Sequence, residues 1–288
     1  MLLNASGCLD ALTAPDTART LDAFVTKTVT PEPREGNPPV RIAETDFGML
    51  NAIGLANPGR EVFVRQTLPR LASTLQMPIW VSVGGFSAND YAETCAVLGC
   101  DDVAAVELNL SCPNVDEAPE SAAEIVAACR AATALPLYAK LSPASWDIAE
   151  AARAVEAAGA DGLSLVNTMR GLALDKHLRP MLGRATGGYS GPALKPIALA
   201  CVYACRRVTQ LPIVGMGGVS TGRDALDLIA SGANHVALGT VFFSDNRAGN
   251  RVRAEMAEEA ARHGFETPDD AFCAAHRDAR ERVVRLEN

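Results

Sequence analysis

The chain has 288 residues, of which 48% are apolar and 21% charged, and a formal net charge of −8. This composition supports a globular core and excludes a disordered chain. The acidic balance without any basic cluster excludes a nucleic-acid binder, and no apolar run approaches the roughly 20 residues of a membrane span.

Short apolar runs alternate with amphipathic stretches along the whole chain. Strands are predicted over residues 2–5, 23–26, 79–83, 105–110, 137–141, 162–166, 211–215 and 235–238. Helices are predicted over 60–75, 89–98, 121–132, 147–158, 195–208, 221–230 and 247–263. Asn89 and Ser121 are candidate N-caps, Gly99 and Gly159 candidate terminators, and Pro78, Pro136 and Pro212 stand just ahead of strands. Alternating strands and helices imply parallel pairing through right-handed crossovers. Eight such units in a chain of this length predict a closed (β/α)8 TIM barrel, and with no linker or repeat the expectation is a single domain over residues 1–288. The first βα turn, Asn4-Ala5-Ser6-Gly7-Cys8, lacks the G-x-G-x-x-G of a doubly wound sheet. Residues 28–59, rich in Pro and Gly, read as one long irregular segment on the active face.

Four lysines, Lys27, Lys140, Lys176 and Lys195, stand against 22 arginines. Where arginine is the default base, a lysine at a strand end is a candidate for ammonium chemistry. Met1-Leu2-Leu3-Asn4 shows no secretion signal, and eight cysteines without a C-x-x-C pair read as reduced, buried thiols of a cytoplasmic protein. No spacing suggests a metal site.

Function in such a barrel lies at the C-terminal ends of the strands. The seventh strand runs into Gly215-Met216-Gly217-Gly218-Val219-Ser220 and the eighth into Gly239-Thr240. Exposed amides there form a candidate phosphate cradle, although tight turns alone would also use these glycines. Lys140 ends the fifth strand between apolar residues, where a buried ammonium needs an anion or an electron-rich ring. A solvated lysine and a Schiff-base lysine are the other readings. The fourth strand ends Glu107-Leu108-Asn109-Leu110-Ser111-Cys112-Pro113-Asn114, the sixth Val166-Asn167-Thr168 and the second Thr26-Lys27-Thr28. Cys112 is compatible with a nucleophile, a general base or an inert thiol. Asparagines that donate and accept suit a planar heterocycle with carbonyl and N–H groups. The mouth shows no acidic pair or histidine cluster, which argues against glycosidase and metal-hydrolase chemistry. His235, His263 and His276 read as structural, and His177 is the one histidine within reach of the mouth.

These blocks resemble one family. Lys27-Thr28 with Arg34-Glu35-Gly36-Asn37-Pro38, then Gly48-Met49-Leu50-Asn51-Ala52-Ile53-Gly54-Leu55, are similar to the class 1 dihydroorotate dehydrogenases. So are Glu107 to Asn114, Lys140-Leu141-Ser142-Pro143 and Asn167-Thr168, while Gly187-Gly188-Tyr189-Ser190-Gly191-Pro192-Ala193-Leu194-Lys195-Pro196 is most similar to the NAD-linked subclass, 1B. The likeness runs from about residue 4 to residue 243.

The resemblance implies an FMN barrel that oxidises dihydroorotate to orotate in pyrimidine synthesis. It implies FMN contacts at Ser6, Lys27, Thr28, Asn109, Lys140, Val166 and Gly191, with the phosphate on Gly217, Gly218, Gly239 and Thr240. The pyrimidine would meet Lys27, Asn51, Ala52, Ile53, Gly54, Leu55, Asn109, Asn114, Asn167 and Thr168. Cys112 matches the family's general base, which takes a proton from carbon 5 while a hydride leaves carbon 6. A homodimer is implied, and a separate subunit with FAD and an iron–sulfur cluster that reduces NAD. Two departures carry expectations of their own. Only Met1-Leu2-Leu3 stand where the family has a further strand-forming segment, which leaves two expectations, a misassigned start or a more open barrel bottom. Val115-Asp116-Glu117-Ala118-Pro119-Glu120 replaces a longer stretch that should cover the site. Other readings are a related FMN barrel acting on another pyrimidine, a Schiff-base lyase, and a non-catalytic homologue.

Overall fold

The protein is described by a computed structural model covering residues 1–99, 102–110 and 119–277. Eight strands form a parallel sheet: β1 (Leu2–Asn4), β2 (Phe24–Val25), β5 (Ile79–Val83), β6 (Ala105–Asn109), β7 (Leu137–Leu141), β8 (Gly162–Leu165), β11 (Ile213–Met216) and β12 (His235–Leu238). Their order is β1-β12-β11-β8-β7-β6-β5-β2, and a parallel bridge between Leu3 and Ala23 joins the two ends. The sheet is therefore the closed barrel that the sequence predicts. Pro78, Pro136 and Pro212 have no N–H to give, but their carbonyls accept from Phe24, Val106 and Leu163 of neighbouring strands.

Side-chain alternation divides each strand. Val81, Val106, Leu108, Leu137, Ala139, Leu163 and Ile213 point outward and pack under the helices. Leu3, Ala23, Val25, Trp80, Ala105, Tyr138, Val214, Met216 and Ala237 point inward and fill the barrel. The rings of Trp80 and Tyr138 lie 4.3 Å apart between centroids, both buried. The lower barrel is thus filled with side chains rather than open. Two residues further along the same strands, the inward positions turn polar: Ser82, Glu107, Lys140 and Ser164 are all buried. This polar tier lies beneath the mouth, and Lys140 reaches the cavity from it.

The segment expected to be irregular contains structure. Residues 28–59 hold β3 (Ile42–Thr45) and β4 (Gly48–Asn51), an antiparallel hairpin, and the loop after β8 holds β9 (Met169–Leu172) and β10 (Thr186–Ser190). Together they make a second sheet of order β3-β4-β10-β9. One face buries Ala43 and Leu50 with Ala52 and Leu182 in a small core of its own. The other face presents Met49, Asn51, Gly188 and Ser190 to the mouth. The hairpin was hidden because β4 pairs with β10 across more than a hundred residues, and its Gly and Pro neighbours read as loop.

Helix ends correct two expectations. Ser87, not Asn89, caps the helix Ala88–Ala96 by accepting from Asp90 N, and Asn89 instead donates to Glu93. The helix Pro119–Ala132 begins ahead of Ser121. The stretch predicted as one helix from 60 to 75 is interrupted by a π-helical turn, Phe63–Thr67. Gly159 (φ +102°) ends its helix as expected, whereas the helix before Gly99 stops at Ala96.

Gly162 makes room for the aromatic pair: a Cβ there would lie 2.3 Å from Tyr138 Cε1. Gly162→Ala is expected to lower unfolding stability by about 1–3 kcal/mol in chemical denaturation. Gly99→Ala, whose Cβ would meet nothing within 4 Å, should be nearly neutral by the same measurement.

Candidate active site

A cavity of about 1440 Å³ opens at the C-terminal end of the barrel. It exceeds the roughly 300–1,000 Å³ of a drug-sized pocket, leaving room for two ligands side by side. Of the residues singled out from the sequence, Ser6, Lys27, Thr28, Asn51, Ala52, Ile53, Gly54, Leu55, Asn109, Lys140, Val166, Asn167, Thr168, Gly191, Gly217, Gly218, Gly239 and Thr240 all line it. Cys112 and Asn114 lie outside the described residues. His177 is exposed and does not line the cavity, and Asn57 braces the loop by donating to Thr30 and Leu55.

The polar side chains form one connected network. Ser6 donates to the Thr26 carbonyl (2.8 Å) and meets the Thr28 hydroxyl, which pairs with Ser82 Oγ at 3.0 Å. Asn109 Nδ2 donates to Thr28 Oγ1, and Asn167 Nδ2 donates to Asn109 Oδ1 at 2.9 Å. The Thr168 amide donates to Asn167 Oδ1. Each amide plane is thereby fixed before any ligand arrives, which is what orienting a flat ring requires. On the second sheet, Asn51 Nδ2 donates to the Gly188 carbonyl, and a Cβ at Gly188 would lie 2.2 Å from Thr168 Oγ1. Lys27 lies along Gly7, where a Cβ would come within 2.8 Å of its Cδ.

Lys140 is buried at the floor, and its Nζ lies 3.2 Å from Glu107 Oε1. The sequence reading asked for an anion beside this ammonium but passed over Glu107, although the strand alternation that turns Asn109 inward turns Glu107 inward as well. Cys8 also lines the cavity. Burial pushes its thiol up, against the lowering pull of Lys140 and Lys27. Asn37 is a second residue passed over. It donates to the Ala52 carbonyl and its own amide donates to that of Ile53, which holds the segment from Asn51 to Leu55 in place. Leu55 adopts a positive φ (+58°).

At the other end of the cavity the loops after β11 and β12 converge. Gly217 (φ +119°) and Gly218 (φ +77°) lie against the start of the helix Lys195–Arg206, where a Cβ on Gly218 would sit 2.6 Å from Lys195 N. The amides of Gly218, Gly239 and Thr240 donate no backbone hydrogen bond in the described turns and loops. Thr240 Oγ1 donates to Ser190 Oγ at 2.9 Å and ties this end to β10.

Lys195 serves this cradle from behind. Its ammonium pairs with Asp224 (2.6 Å) and Asp227 (2.7 Å), and Asp224 also accepts from the amides of Ser220 and Thr221. Thr221 and Asp224 form the capping box of the helix Gly222–Ala230. Lys195 is therefore structural, and Lys27 and Lys140 are the two lysines of the mouth.

A family model for dihydroorotate dehydrogenase matches residues 1–259. The chain belongs to the dihydroorotate dehydrogenase family. Among relatives, the "Dihydroorotate dehydrogenase B (NAD(+)), catalytic subunit" of Latilactobacillus sakei is 46% identical over 260 residues, covering 86% of this chain and 85% of that protein. Its namesake in Desulforudis audaxviator is 43% identical over 266 residues, covering 89% and 86%. The dihydroorotate dehydrogenase of Eimeria tenella, crystallised with ferulenol, superposes with a TM-score of 0.81 at 24% identity. It covers 96% of this chain and 85% of its own, and shows the shared fold.

In this family member, burial raises the Asp224 carboxyl, but hydrogen bonds from Lys195, Ser220 and Thr221 outweigh it and hold the group below the ordinary aspartate range. The stability it contributes is present above that range and lost as pH falls through its lowered value. Asp224→Asn is expected to remove about 1–2 kcal/mol at neutral pH and to flatten the acid limb of a stability-against-pH curve. An acid limb unchanged in the variant would contradict this placement.

Proposed function

We propose that this chain is the FMN-dependent catalytic subunit of a dihydroorotate dehydrogenase of the NAD-linked subclass, oxidising dihydroorotate to orotate in pyrimidine synthesis. The observation that carries the reading is the two-ended cavity. One end offers a glycine cradle whose Gly218, Gly239 and Thr240 amides donate no backbone hydrogen bond in the described turns and loops, and the other a fixed set of asparagines over a buried ammonium.

The residues present fit FMN. Gly217, Gly218, Gly239 and Thr240 suit a phosphate because they line the cavity, three of them glycines whose backbone allows close approach beside a helix start. Ser6, Lys27, Thr28, Asn109, Lys140, Val166 and Gly191 line the space between cradle and floor, where an isoalloxazine ring would lie. When bound, FMN supplies a two-electron acceptor for a hydride.

The chain's own groups supply the rest. Lys27 places an ammonium at the mouth to offset the substrate carboxylate. Asn51, Asn109 and Asn167, joined by Asn114, orient the pyrimidine carbonyl and N–H groups through paired hydrogen bonds. Ala52, Ile53, Gly54 and Leu55 close over the ring's edge, and Thr168 meets it beside Gly188. Cys112 Sγ takes the proton from carbon 5, a role a thiolate fills near neutral pH when its pKa is matched to the task. Lys140 holds positive charge at the floor, where negative charge develops.

The curated relatives are named as catalytic subunits, and the proposal extends to the subunit they imply. A separate protein with FAD and an iron–sulfur cluster would pass electrons to NAD, and the chain itself would form a homodimer. Val40, Leu172, Leu174 and Leu178, exposed on the strands and turns of the second sheet, support an association surface. The whole chain is proposed to act as one FMN-binding domain in the cytoplasm. Among the described residues no helix is long and apolar enough to cross a membrane.

The flavin-loaded protein should bleach under anaerobic mixing with dihydroorotate and release orotate. Cys112→Ala should slow that reduction by about 10²–10⁴-fold, the usual worth of a general base, while orotate binding changes little. A flavin that stays oxidised in the unsubstituted protein would sink the reading, and equal rates in the two proteins would remove Cys112 as the base.

A further inference from the structure

Lys140 has a partner that never reaches the cavity. The Glu107 and Lys140 side chains, on adjacent strands β6 and β7, are 2% and 6% exposed, and their charged atoms are 3.2 Å apart. Lys140 lines the cavity and Glu107 does not. No other carboxylate pairs with Lys140 among the described residues. The hydroxyl of Ser164, next to Lys140 on the other side, makes no hydrogen bond. Among the described residues, the Glu107 carboxylate is therefore the charge paired with this ammonium, in an interior where charges act strongly on one another.

We propose that Glu107 is a positioning residue that holds the Lys140 ammonium at the cavity floor and offsets its field, thereby setting how strongly the site favours a negatively charged, reduced flavin. The inference rests on the FMN reading above. It differs from it in asking not whether Lys140 stabilises charge, but what limits that stabilisation. A bare ammonium at this position would overstabilise the reduced state and hold electrons that must pass to the acceptor. The paired ammonium leaves the flavin reducible and still able to give its electrons up.

Glu107→Gln keeps the shape and removes the charge. In the FMN-loaded variant the two-electron reduction equilibrium is expected to shift about tenfold toward reduction, a rise of about 30 mV in midpoint potential. Sulfite, which places negative charge on the oxidised flavin, should bind about tenfold more tightly, the same displacement read a second way. Glu107→Asp should lie closer to the parent on both readouts. A parental potential in an E107Q protein with full FMN content would overturn the proposal. FMN content is measured first on the unsubstituted protein, and its absence there would remove the cofactor reading and this inference together.

If E107Q is not recovered folded, the double variant E107Q/K140Q takes its place, because a buried ion pair removed as a unit is better tolerated than half of one. Its potential should fall below the parent's, since the ammonium is the member of the pair that lines the cavity. A double variant at the parental potential would contradict the proposal.

Discussion

An ammonium buried in a barrel must be given a partner, and the structure is arranged around that requirement. Leaving one charge of such a pair alone costs about 3–5 kcal/mol. Lys140 lies on β7 between β6 and β8, and side-chain alternation turns its stem and the Glu107 carboxylate into the barrel interior. Below the pair, Trp80 and Tyr138 fill the barrel and Gly162 yields the space they take. Above it, Asn109 and Asn167 continue the inward rows as a hydrogen-bonded lattice. The change from apolar to polar along β5, β6, β7 and β8 is thus a change from core to site within two residues.

The walls come from elements outside the barrel count. The second sheet stands beside the mouth, with its own small core on one face and Asn51, Gly188 and Ser190 on the other. Asn37 and Arg34 tie the segment after β4 by bonds to Ala52, Ile53 and Gly54. The loop after β11 packs against the start of the helix Lys195–Arg206, and Lys195 ties that start to the helix Gly222–Ala230 that follows the loop. The walls are also cross-braced: Thr240 donates to Ser190 of β10, and Thr168 is joined through Asn167 to Asn109, which makes the mouth rigid as a unit. Such rigidity is what pre-organised electrostatics demands.

The barrel was legible in the sequence because its signals are local: strands such as 79–83 and 137–141 are compact apolar runs, bounded by proline and followed by periodic helices. The strand-end residues followed from that topology. The second sheet was not legible, because β4 meets β10 only after the barrel has brought distant segments together. Glu107 was missed for a different reason. It sits inside a motif whose asparagines and cysteine attract attention, and its importance shows only once Lys140 is seen 3.2 Å away. Asn89 misled as a cap because Ser87, two residues earlier, offers the same chemistry with an extended backbone. The scarcity of lysine pointed to Lys27 and Lys140, which both line the mouth, and Lys195 shows that the same scarcity also marks a structural ion pair.

The central claim is that one cavity seats FMN with its phosphate on the β11 and β12 loops and its ring over Lys140, leaving the pyrimidine against the second sheet. A crystal structure of the chain grown with FMN and orotate tests it most directly. The account predicts phosphate oxygens within hydrogen-bond distance of the Gly218 and Thr240 amides, and orotate contacting Asn51, Asn109 and Asn167. A flavin phosphate bound elsewhere, or orotate outside this asparagine set, would contradict it.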